Sequence, residues 1–71
     1  MQTPQEAFTE WRRADAAARD AEQILASAWQ AYDAGIAGPP AEELLQEVSR
    51  RRSVANDKLT QAMHLMQTRR R

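Results

Sequence analysis

The stretch Ala34-Gly35-Ile36-Ala37-Gly38-Pro39-Pro40 holds both glycines of the chain and two of its three prolines. It is therefore where a helix must stop and another must start. Gly35 can take the left-handed conformation just past a helix end, with Ile36 folding back on the last turn. A residue before proline avoids the helical region, so Pro39 is expected to stay extended and Pro40 to open the next helix.

Upstream, Thr3-Pro4-Gln5-Glu6 is a helix start. The Thr3 hydroxyl can accept from the Glu6 N–H, Pro4 suits the first helical position, and the Glu6 carboxylate can reach back to Thr3. The sequence thus predicts helix one over about 4–34, a turn over about 35–39 and helix two over about 40–68. A basic tail follows, and residues 1–71 form a single domain. So short a connection forces antiparallel neighbours, giving an all-α, coiled-coil-like hairpin.

Heptads run through both helices. Helix one carries Ala7, Trp11, Ala14, Ala18, Ala21, Leu25, Ala28 and Tyr32, and helix two carries Ala41, Leu45, Val48, Arg52, Ala55, Leu59, Ala62 and Met66. Such spacing is a coiled-coil signal, and the alanines let two helix axes come close. Folding the chain about its turn sets Leu45 against Trp29, Val48 against Leu25, and Ala55 against Ala18 or Ala21. Met63 and Met66 then reach Trp11 and Phe8.

Phe8, Ile24 and Trp29 on helix one, with Leu44, Val54, Met63 and Leu65 on helix two, lie beside this seam. Two helices cannot cover them all, and an uncovered apolar patch marks an interaction site. The chain has 71 residues and no cysteine, so disulfides are excluded. A domain this small then depends on close packing or association. The expected solution is a homodimer forming a four-helix bundle, or docking on a helical partner protein. Its interface residues would be Phe8, Trp11, Ile24, Leu25, Trp29, Tyr32, Leu44, Leu45, Val48, Val54, Leu59, Met63, Leu65 and Met66.

Charge is unevenly divided although the net is zero. Residues 1–35 carry three arginines against six carboxylates, and residues 36–71 carry seven bases against four carboxylates. Arg50, Arg51 and Arg52, with Arg69, Arg70 and Arg71, could touch a phosphate backbone. No aromatic residue interleaves them, as single-strand binding would want. The alternative reading of their surroundings is a solvated face in which Glu47 pairs with Arg51 and Arg52 lies opposite Glu22, with Asp15 nearby.

His64 is the one histidine, so no metal set and no nucleophile–base–orienter triad can form around it. No catalytic residue, no metal and no cofactor is expected. No stretch has the length of a membrane span and no signal-peptide core follows Met1, so cytoplasmic residence is expected. In architecture alone the chain resembles two groups of small helical hairpins. These are the plasmid-type RNA-modulating hairpins that dimerise into four-helix bundles, and the hairpin chaperones that hold type III secretion needle subunits. No residue of either group carries over, and a shared shape does not fix a function. The functional expectation is a non-enzymatic interaction or regulatory module, with a nucleic-acid-binding accessory protein as the alternative.

Overall fold

A computed structural model describes residues 2–69, without the side chain of Arg69. The cluster Arg69–Arg71 thus lies outside the described residues, apart from the Arg69 backbone. The fold is all-α, with two helices packed side by side: α1 (Pro4–Asp33) and α2 (Glu42–Arg69). The molecule measures 56 × 16 × 15 Å.

The start of α1 follows its sequence signals. Thr3 is extended at the cap, and its hydroxyl accepts the Glu6 N–H at 3.2 Å. The reciprocal bond from Thr3 N–H to the Glu6 carboxylate is not made, so half of the expected capping box is present. At the other end Gly35 has φ +73°. The Ile36 N–H donates to Ala31 O at 2.9 Å and the Gly35 N–H to Tyr32 O at 3.0 Å, the bond pattern that ends a helix on a left-handed residue. The expected folding back of Ile36 is confined to its backbone. Its side chain is 81% exposed, because it projects from the end of the hairpin where no helix surface lies beneath it.

Helix α2 starts two residues later than expected from Pro40. The Ala41 carbonyl accepts from the N–H groups of Leu44 and Leu45, at 3.0 and 3.2 Å, so both prolines remain in the turn. Two causes act together. The chain needs residues to cross the ~8–10 Å between helix axes, and a start at Glu42 sets Glu42 and Glu43 in the first turn, where the helix dipole favours carboxylates.

Among the described residues the fully buried apolar side chains are all alanine: Ala7, Ala18 and Ala21 of α1, Ala55 and Ala62 of α2, each 0–3% exposed. Around this line Ala14, Leu25, Ala28, Val48 and Leu59 are half-buried. Tyr32, Leu45 and Met66, expected within the seam, are instead 38–45% exposed. A seam closed largely on methyl groups has no room between the axes for these three larger side chains, so they splay to its flanks. Among the described residues no helix is long and apolar enough to cross a membrane.

The alanine line gives a sharp mutational contrast. Ala18→Leu or Ala55→Leu wedges the axes apart and should cost ~1–3 kcal/mol, whereas Ala16→Leu, on the exposed side of α1, should leave the melting temperature nearly unchanged. Equal melting of all three variants would displace the seam from this line. At the turn, Gly35→Ala forces an L side chain into the left-handed region and should destabilise by ~1–2 kcal/mol. Gly38 has open space around it and no positive φ, so Gly38→Ala should melt with the parent in the same thermal scan.

Candidate functional site

Helical periodicity and the cross-helix bonds divide the two-helix layer into a front and a rear side. Residues seven apart return to nearly the same side of a helix. One such row on α1 is Phe8, Asp15, Glu22 and Trp29, and one on α2 is Leu45, Arg52, Leu59 and Met66. Arg52 joins the two rows. Its Nε and Nη2 donate to the two carboxylate oxygens of Glu22 at 3.0 and 2.7 Å, and its Nη1 donates to Asp15 Oδ1 at 2.9 Å. These rows therefore share the front. Run antiparallel, they pair Phe8 with Met66, Asp15 with Leu59, Glu22 with Arg52 and Trp29 with Leu45. Trp11 and Met63 complete this side, with Phe8 and Trp11 edge-to-face at 6.3 Å.

The rear is built on a second set of rungs. Lys58 meets Glu10 at 3.5 Å, and Arg51 Nη1 donates to the Ala17 carbonyl at 3.1 Å. The same register sets Ile24 beside Leu44. Gln2 bonds both Glu10 and Gln61, closing the open end of the hairpin with polar groups. Ile24, Val54 and Leu65 are the large apolar side chains left here.

Of the residues expected to form an interface, Phe8, Trp11, Trp29, Leu45, Leu59, Met63 and Met66 thus gather on the front. Ile24, Leu44, Val54 and Leu65 lie toward the rear, and Leu25 and Val48 are half-buried at the seam itself. Tyr32 sits at the turn end, edge-to-face with Trp29 at 5.9 Å. The expected single patch is therefore two sides of unequal composition. Asp15, Glu22 and Arg52 are near one another as the sequence leads one to expect, but they sit in the middle of the apolar front, which it does not. Their heptad spacing from Phe8, Trp29, Leu45 and Met66 was the available signal.

The arginine run is electrostatically occupied. Arg50 Nη2 reaches Glu47 at 2.6 Å and Arg51 Nε reaches the same carboxylate at 2.6 Å. Asp15 is shared by Arg52 and Arg19 at 2.9 Å each. The hydrogen bonds from Arg50, then those from Arg51, hold Glu47 below the usual carboxylate range. The bidentate bond from Arg52 does the same for Glu22, while Glu22 and then Asp15 push Arg52 further up. These groups are partly open to water, so salt screens them and their value to stability is modest. Among the described residues no cluster of histidine, cysteine or carboxylates could hold a metal. His64 is exposed.

A charged rung in an apolar side is more apt to fix geometry than to add stability. Arg52→Leu should melt at or above the parent temperature. Arg52→Ala should melt below it, since the packing stem is lost and Asp15, only 15% exposed, keeps no cross-helix partner. Because the folded Glu22 sits below its ordinary value of 4.5, its contribution is complete above that pH. It is lost as pH falls through the depressed folded value. The parent should therefore lose melting temperature in acid more steeply than Arg52→Leu, and parallel acid profiles would show that the pair does not act on folding. Comparison with protein-family models, curated protein sequences and solved structures finds no match for the chain, so a functional reading rests on this geometry.

Proposed function

We propose that the chain is a non-enzymatic protein-interaction module that works by self-association of its hairpin into a four-helix bundle. The observation that carries this reading is the mismatch between its core and its surface. Among the described residues no side chain larger than alanine is fully buried, while Ile24, Trp29, Tyr32, Leu45, Val54, Met63 and Met66 stay 38–59% exposed. The total surface agrees. A folded monomer of 8.1 kDa exposes ~4,500 Å², whereas this chain exposes 5652 Å². The excess, about 1,150 Å² per chain, would bury about 2,300 Å² in a symmetric pair, the scale of an obligate homodimer.

Nucleic-acid binding, the alternative drawn from the arginine run, has little support here. Arg50, Arg51 and Arg52 are matched by Glu47, Glu22 and Asp15, and a phosphate backbone would have to displace those carboxylates. The acidic α1 beside them repels a polyanion as well.

Sedimentation equilibrium tests the proposal. The expected result is a dimer at micromolar concentration, with helicity that falls on dilution. A folded monomer whose helicity does not change on dilution through low micromolar concentration would overturn it.

A further inference from the structure

The two sides of the hairpin are not equivalent docking surfaces, and charge selects how a copy can sit on the better one. We infer that a second copy packs on the front with its two-fold axis parallel to the helices, so that both turns lie at the same end of the bundle and Arg52 of each copy faces Glu22 of the other. This rests on the self-association proposed above and adds the face, the axis and the pair that sets them.

The choice of side follows from composition. The front carries Phe8, Trp11, Trp29, Leu45, Met63 and Met66, so three of the chain's four aromatic residues lie on it. The rear is crossed by the Glu10–Lys58 pair and the Arg51–Ala17 bond and the front by the Arg52 network, so desolvation costs both sides and the apolar residues decide between them. Aromatic and methionine side chains are what interface centres favour.

The choice of axis follows from charge. Face-to-face hairpins have two symmetric arrangements. If the turns lie at opposite ends, α1 faces α1 of the other copy. Helix α1 carries three arginines against six carboxylates, so like charge meets like and Asp15 meets Glu22. If the turns lie at the same end, α1 faces α2, which carries five bases against four carboxylates. Each front rung then meets its own copy. Trp29 and Leu45 form one apolar layer and Phe8 and Met66 another. Between them Glu22 and Arg52 alternate in sign around four helices.

The groups can make these bonds. Arg52 has five N–H donors and uses three within its own chain. Arg52 and Glu22 are 33% and 40% exposed, so both can still be reached by a second copy. A rung that is neutral in same-end pairing and repulsive in the other gives specificity by penalising the wrong partner geometry.

Two measurements test this. The chain has no cysteine, so a spin label on Gly38→Cys, a site with open space, is unique and remote from the front. Same-end pairing puts the two labels within about two interaxial spacings, roughly 20 Å. Opposite-end pairing separates them by close to the 56 Å length of the hairpin. A long distance, or no dipolar coupling in a sample that sediments as a dimer, overturns the inference and leaves self-association standing. No coupling in a sample that sediments as a monomer overturns both. For the side, Met63→Glu should weaken dimerisation roughly tenfold or more by burying an unpaired carboxylate, and Val54→Glu should leave it unchanged. The reverse order would place the second copy on the rear.

Discussion

Close approach of two helices on a line of methyl groups is the constraint on which the rest of this molecule depends. Ala18, Ala55 and Ala62 are wholly inaccessible, and that packing requires the axes to sit near the short end of the usual interhelical spacing. Two consequences follow from the same geometry. The helices hold a defined register, because each methyl group must meet a gap in the opposite helix. Most large apolar side chains are also pushed from between the axes to one side or the other, with Leu25 and Val48 left half-buried at the seam.

That exclusion is what turns a packing device into a surface. In an ordinary core the leucines, methionines and aromatics would fill the centre and the small residues would lie at its margins. Here the order is inverted, with alanine inside and Trp29, Leu45, Met63 and Met66 on the flank. The hairpin thereby trades burial within the chain for apolar area available to another chain. The four-helix arrangement proposed above would recover that area in a second core made from the flanks of two hairpins.

The polar groups are placed to suit such a division. The rear is closed by Gln2, Glu10, Lys58 and Gln61 and by the Arg51 bond to a backbone carbonyl. The front concentrates its charge in one network at mid-length, where Arg52 links Asp15 and Glu22. Charge spread along the front would oppose its burial everywhere, whereas charge gathered at one rung leaves apolar layers on either side.

Much of this was legible in the residues. Thr3-Pro4 and Gly35 fixed the first helix because caps and left-handed positions are local matters of one or two residues. The heptad alanines identified the seam, and the contact of Arg52 with Glu22 and Asp15 followed from folding the chain about its turn. Three things were decided only by the tertiary structure. Helix α2 begins at Glu42 and not Pro40, because the turn must span the gap between axes. Tyr32, Leu45 and Met66 leave the seam, because heptad position gives direction but not the distance between helices. Phe8, Trp29 and Met63 separate from Ile24, Val54 and Leu65 onto opposite sides, because hydrophobicity along a helix does not say which flank faces which until a second helix fixes the frame.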